Sequence, residues 1–303
     1  MRILISGLPL FARRLANDLK QAEPGSDFTA YDTYYSKTDQ LRFMAALPFA
    51  DAVISMNGVT DSSGSLDAVL LFKKKLIMQW QGTDVMLAVS RFKDGNIDLK
   101  YCNYATHWVD APWLYEEVKS IGLEPETVHF KYATADSPIK NYSSISVISY
   151  VPQSRQGFYG INRILNLAKN NPDVQFNLYG CTSAEVDLPS NVNLHGWVSE
   201  DVFKTAMKNS AIFLRLTEHD GFSVSVIEAM SVGCEVIVTM PFDHAFVARS
   251  GEETLNAFTR AKEKIIGRGL TPNQEVIAYV QNNFKKQEVI ANYLKKLHQF
   301  IGK

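Results

Sequence analysis

Short apolar runs rich in Ile, Val and Phe alternate along the chain with longer segments whose apolar residues recur every three or four positions. The first pattern predicts buried strands and the second amphipathic helices. Their alternation predicts βαβ units, and therefore parallel sheets. In the first half, strands are expected at Arg2–Ser6, Phe28–Tyr31, Asp51–Met56, Leu76–Trp80, His107–Asp110 and Thr127–Tyr132, with helices at Phe11–Gln21, Ser65–Phe72 and Trp113–Ile121. In the second half, strands are expected at Ile145–Val151, Val174–Tyr179, Ala211–Leu216 and Cys234–Thr239, with helices at Tyr159–Lys169, Val202–Met207 and Val224–Val232. The rest reads as helical, over Thr254–Ile266, Asn273–Asn283 and Gln287–Ile301. In the last of these, Val289, Ile290, Tyr293, Leu294, Leu297, Phe300 and Ile301 form one stripe, fit to pack on protein or to lie on a membrane surface.

A chain of 303 residues divides naturally into two domains. The polar stretch Asp136–Ser144, with Pro138 inside it, reads as the linker. The expected division is 1–141, 142–284, and a terminal helix over 285–303. A net charge of −1 gives no reason to expect a nucleic-acid partner. Cys102, Cys181 and Cys234 are widely spaced beside apolar runs, as small buried hydrophobes of a reducing compartment would be. The opening Met-Arg leads straight into a strand, and no apolar run approaches the ~18 residues of a membrane span. A cytoplasmic protein is expected, with peripheral contact at the inner membrane face allowed.

Chemistry concentrates in Ala211–Thr239, a strand, loop, helix and strand with Gly233 placed to end the helix. Between Val224 and Val232 the only polar residues are Ser225, Glu228 and Ser231, three apart and so on one face. That face either meets solvent or lines a cleft in which Glu228 accepts bonds from a ligand's hydroxyl pair. Free amides at the start of such a helix hold phosphate. Phosphate there and a carboxylate one turn on suit a nucleotide.

Asp220-Gly221-Phe222-Ser223, followed by Glu228-Ala229-Met230, resembles the signature of retaining glycosyltransferases with the GT-B fold, glycosyltransferase family 4-like, also called glycosyl transferases group 1. The pattern there is an acidic residue, Gly-Phe-Gly, then Glu-Ala-Met; here Asp220 stands for the usual Glu and Ser223 for the second Gly. The resemblance implies α/β architecture, two Rossmann-like parallel-sheet domains facing across a cleft, with the C-terminal helix returning to the N-terminal domain. It further implies that Asp220 contacts the donor sugar, that Glu228 contacts the ribose, and that Gly221, Phe222, Ser223 and Val224 border the donor. Gln81-Gly82-Thr83-Asp84 resembles the family's His-Gly-x-Asp, which places Gln81 and Asp84 on the acceptor side together with Gly7. Asp136 resembles the end of a closing Asn-Gly-Val-Asp segment. Gly180, and Trp197 and Val198 after His195-Gly196, resemble the loops that cradle the nucleobase; ordinary core is the alternative for Trp197. The family holds the donor pyrophosphate with an Arg and a Lys. Arg155 is the candidate for the first, and the second has no match.

The implied activity is that of a hexosyltransferase. A UDP- or GDP-linked sugar would be the donor and a saccharide or lipid-linked molecule the acceptor, in surface polysaccharide or glycoconjugate synthesis. No Asp-x-Asp, H-E-x-x-H or C-x-x-C occurs, so no metal and no cofactor are expected. A nucleotide-sugar epimerase of the same fold and a non-catalytic nucleotide-sugar-binding protein are the alternatives. The altered positions Gln81, Asp220 and Ser223 favour the latter.

Overall fold

The computed structural model describes residues 1–133, 138–184 and 186–302. Two compact units divide the chain: Met1–Lys131 with Lys286–Lys303, and Tyr132–Lys285. Asp136, expected in the linker, lies outside the described residues.

Unit 1 is built on strands β1 (Arg2–Gly7), β2 (Asp27–Ala30), β3 (Ala52–Met56), β4 (Lys75–Trp80), β5 (Thr106–Val109) and β6 (Pro125–Thr127). They form one sheet in the order β2-β1-β3-β4-β5-β6, every pair parallel. The helices are α1 (Pro9–Ala22), α2 (Lys37–Ala46), α3 (Gly64–Leu71), α4 (Thr83–Lys93) and α5 (Pro112–Ser120). Strands β3 and β4 are buried almost throughout, as strands covered on both faces must be. The strand expected over Thr127–Tyr132 is shorter and earlier, because only Pro125–Thr127 pairs with β5. Lys131 at its far end is 6% exposed and pairs with Asp110, which is fully buried, while its ammonium lies over the rings of Phe11 and Phe130.

Unit 2 holds β7 (Ser146–Tyr150), β8 (Gln175–Tyr179), β9 (Val192–Leu194), β10 (Ile212–Arg215), β11 (Glu235–Val238) and β12 (Phe246–Val247), with α6 (Ile161–Asn170), α7 (Glu200–Lys208), α8 (Val224–Ser231), α9 (Gly251–Gly267) and α10 (Gln274–Asn283). Its sheet is also parallel, in the order β12-β11-β10-β7-β8-β9. The core gathers Val147, Phe176, Leu214 and Ile237 from the strands and Ile164, Leu165, Phe258 and Ile265 from α6 and α9. Helix α8 ends where expected, with Gly233 at φ +84°.

The last helix, α11 (Lys286–Ile301), belongs to unit 1 and packs on α1. Its stripe is satisfied by protein: Tyr293 is fully buried, edge-on to Trp108 with ring centroids 5.1 Å apart. Cys102, Cys181 and Cys234 are all free and buried. Among the described residues, no helix is long and apolar enough to cross a membrane.

Each sheet has one point where the strand order reverses, between β1 and β3 in unit 1 and between β7 and β10 in unit 2. In open parallel sheets, ligands bind beyond the carboxyl ends of the strands at such points.

Candidate active site

The loop from Leu216 to Ser223 leaves the carboxyl end of β10 and enters α8. Ser223 is the N-cap residue, yet its side chain caps no amide and instead shares a 3.0 Å contact with the Ser225 hydroxyl. The first turn of α8 is therefore without a side-chain cap, the arrangement an incoming anion completes. Phe222 is 5% exposed and packs against Phe242 and Phe284, both at 5.0 Å between centroids, so it anchors the loop. Gly221 beside it is buried, and Val224 half-buried.

Glu228 lies one turn into α8, half-buried with Val224 and Ser225. Its Oε1 is 3.6 Å from Lys204 Nζ on α7, and Lys204 also reaches Glu200 at 2.6 Å. Ser231 does not extend that polar face: it is 5% exposed and donates to the Glu228 carbonyl at 2.7 Å. Asp220 accepts from Arg215 Nε at 2.7 Å. The Arg215 guanidinium also sits 4.9 Å over the ring of Tyr159. Burial works against that charge, but Asp220 and Tyr159 together hold the guanidinium above its usual pKa.

Beyond β7, β8 and β9 the site is aromatic. Tyr150, the last residue of β7, contacts Tyr159 at 5.8 Å and Trp197 at 6.1 Å, both edge-on. Burial raises the pKa of the Tyr150 phenol. Trp197 is 80% exposed, so it is not ordinary core. Val198 beside it is half-buried. Gly180 closes β8 and donates to the Gly196 carbonyl at 2.7 Å, which ties the two turns together. Arg155 is exposed, its guanidinium 4.0 Å above Phe158. Arg163 is half-buried and donates to the carbonyl of Leu216 at 2.5 Å and to those of Ala248 and Arg249 at 3.4 Å.

In unit 1, Gly7 sits at the switch point with φ +100°; a Cβ there would lie 2.6 Å from Asn57 Oδ1 and 2.8 Å from the Met56 nitrogen. It borders a pocket of about 660 Å³ lined by Ser6, Ser55, Ser63, Tyr34, Lys37 and Leu41 among others. Asp84 is no loop residue but lies in the first turn of α4. Its carboxylate accepts from the amides of Gly58 at 2.6 Å, Gln81 at 3.0 Å, Gly82 at 2.8 Å and Val85 at 3.0 Å. Burial pushes its pKa up, and the four amides oppose that push. Gln81 donates to the Gln79 carbonyl at 3.1 Å, and its buried Oε1 has no hydrogen-bond partner among the described residues.

The site residues thus form two groups, one per unit. Tyr150 and Tyr159 were not among the residues expected from sequence. Each reads there as a strand or helix-face residue, and only the strand order brings them together.

Several solved structures share this fold. Sucrose-phosphate synthase from Thermosynechococcus elongatus superposes with a TM-score of 0.69 at 12% identity, over 100% of this chain and 99% of that one. An α-glucosyltransferase solved with UDP and a 13-mer DNA gives 0.65 at 10% identity, with 100% of both chains covered. The pneumococcal O-GlcNAc transferase GtfA, solved with UDP and GlcNAc, gives 0.60 at 11% identity over 86% of this chain and 60% of that one. No curated protein matches in sequence. The model of the family described as glycosyl transferases group 1 matches residues 113–291, more than half of the chain and the whole stretch from the Asp220 loop through α8. The chain belongs to that family.

Proposed function

We propose that the protein transfers a hexosyl group from a nucleotide-diphosphate sugar to a hydroxyl of a saccharide or lipid-linked acceptor, with retention and without a metal. The observation that carries this reading is the placement of Glu228. It stands on α8, one turn beyond an uncapped N-terminus, at the carboxyl ends of the strands of unit 2. That geometry suits a ribose on the carboxylate and a phosphate on the first-turn amides. Trp197, exposed beside Gly180 and Gly196, offers a face to the base. UDP, present with the α-glucosyltransferase and with pneumococcal GtfA, supports a uridine donor. The acceptor would enter the hydroxyl-lined pocket at the switch point of unit 1, where Ser6, Ser55 and Ser63 offer bonds to a sugar.

As the glycosidic bond breaks, charge develops on the leaving diphosphate, and fixed donors aimed at it lower the barrier. A thermal-shift panel of UDP- and GDP-sugars tests the reading. A donor at a hundred times its Kd should stabilise the fold by about 2.7 kcal/mol. Adding acceptor should then release free nucleotide diphosphate. A panel without any shift overturns the proposal. A donor that binds but exchanges its C2 configuration without nucleotide release favours the epimerase.

A further inference from the structure

The switch point of unit 2 brings an arginine and two tyrosines to the carboxyl ends of its strands. The register that pairs Leu214 with Ser149 makes Arg215 and Tyr150 the terminal residues of β10 and β7. Arg215 keeps 15% of its side chain exposed there. Its Nε is held by Asp220 at 2.7 Å, and its guanidinium carbon rests 4.9 Å from the centre of the Tyr159 ring. Tyr159 is steadied in turn by Tyr150, edge-on at 5.8 Å. The fork is thereby fixed before any ligand arrives. A guanidinium carries five N–H donors, so even a bidentate Asp220 and a bonded Tyr159 leave some of them to offer.

Resting on the donor reading above, we propose that Arg215 is the cation that grips the donor diphosphate, and that Asp220 is the residue that positions it. The other cations of this edge are disposed differently. Arg155 is exposed above Phe158, Arg163 spends its N–H groups on three backbone carbonyls, and Lys204 lies between Glu200 and Glu228. Arg215 alone among these four sits on a strand end beside the reversal. Because Asp220 offsets its charge, the grip depends on bond geometry more than on long-range attraction. A planar fork meets two phosphate oxygens at once, which an ammonium does not. Asp220 therefore acts on the donor through Arg215, beyond any contact of its own with the sugar.

The test is calorimetric titration of the full chain with UDP and GDP, with uridine and guanosine as phosphate-free controls. Arg215→Ala should bind the preferred diphosphate roughly tenfold to a hundredfold more weakly, with nucleoside affinity unchanged. Arg215→Lys should fall between Arg215→Ala and the parent. Asp220→Asn should lower the ratio of diphosphate to nucleoside affinity at an unchanged melting temperature, an effect that a purely structural role would not produce. Should Arg215→Ala unfold, Arg215→Lys and Asp220→Asn decide the matter by the same ratio. A parent that binds UDP or GDP no more tightly than its variants overturns the assignment to Arg215 while leaving the transferase reading in place. A parent that binds neither diphosphate overturns the transferase reading and this inference with it.

Discussion

Glu228 on α8 and Lys204 on α7 face each other with Oε1 and Nζ 3.6 Å apart. The pair is only partly buried, at 17% and 25% side-chain exposure, so its contribution to stability is small. Its consequence is for binding: Lys204 lies beside a carboxylate that keeps part of its surface exposed. Glu228→Ala should lose about 1.5–3 kcal/mol of donor binding, as expected for bonds to a charged acceptor, while the melting temperature stays nearly constant. Calorimetry with the donor checks this, and unchanged affinity removes Glu228 from the site.

Trp197 offers a sharper separation of binding from folding. At 80% exposure it contributes little to the core, and its ring meets Tyr150 edge-on at 6.1 Å. If a nucleobase stacks on it, Trp197→Ala should weaken nucleoside binding by about 1–3 kcal/mol, and Trp197→Phe should recover part of that. Equal uridine and guanosine affinities in the parent and Trp197→Ala would exclude the stacking role.

What the sequence made legible was what depends on apolar periodicity and on one motif. The strands β1 to β5 of unit 1, the central strands β7, β8, β10 and β11 of unit 2, and the run from Asp220 to Glu228 were readable because burial on both faces, and a fixed loop-to-helix geometry, demand particular residues at particular spacings, whereas the edge strand β12 is only two residues long. Helix α2 was not readable, because of its ten residues only Phe43 is buried and no stripe forms. Helix α4 was hidden for another reason: Gly82-Thr83-Asp84 reads as a turn, and only the structure shows the Asp84 carboxylate gathering four amides around a helix start. The aromatic setting of Arg215 was hidden because it depends on strand order. The neighbour that fixes it beyond its own loop, Tyr159, stands 56 positions away and arrives through β7 and β10 pairing in parallel.

Asp84 is expected to matter for folding first. Its four amide bonds join the turn at Gly58 to the start of α4. Asp84→Asn keeps one acceptor oxygen and puts an N–H₂ donor among amide donors. The loss should be about 1.5–3 kcal/mol, the range for hydrogen bonds to a charged group. Urea unfolding measures it, and a midpoint equal to the parent's would show that the loop holds without the carboxylate.

The proposed chemistry meets the leaving-group charge with Arg215 and the α8 amides, so a divalent ion has no assigned step. Excess EDTA should leave the turnover of the parent nearly unchanged. Preorganised donors of this kind are worth about 2.7–4 kcal/mol in the transition state, so Arg215→Ala should lose roughly a hundredfold to a thousandfold in turnover. Loss of the rate in EDTA with recovery on adding manganese would show that the protein uses a metal after all.

Acid should loosen the attachment of α11 before it unfolds either sheet. Ion pairs tie this helix to α1 and the turn after it, among them Lys286 with Asp18 at 2.7 Å near its start and His298 with Glu23 at 2.6 Å near its end. Burial would raise the Glu23 pKa, but the Ser26 hydroxyl and His298 outweigh it and hold the carboxyl below its ordinary value of 4.5. A carboxyl with a depressed folded pKa stabilises the fold fully above its unfolded pKa. That stabilisation fades as pH falls through the folded value and the carboxyl takes up its proton. Melting temperatures measured from pH 6 down to 3 should therefore decline below about pH 4.5, and Glu23→Gln should decline less steeply because the titrating group is gone. Parallel curves for parent and variant would show that the Glu23–His298 contact adds nothing to the docking of α11, leaving it to Tyr293, Trp108 and the buried stripe.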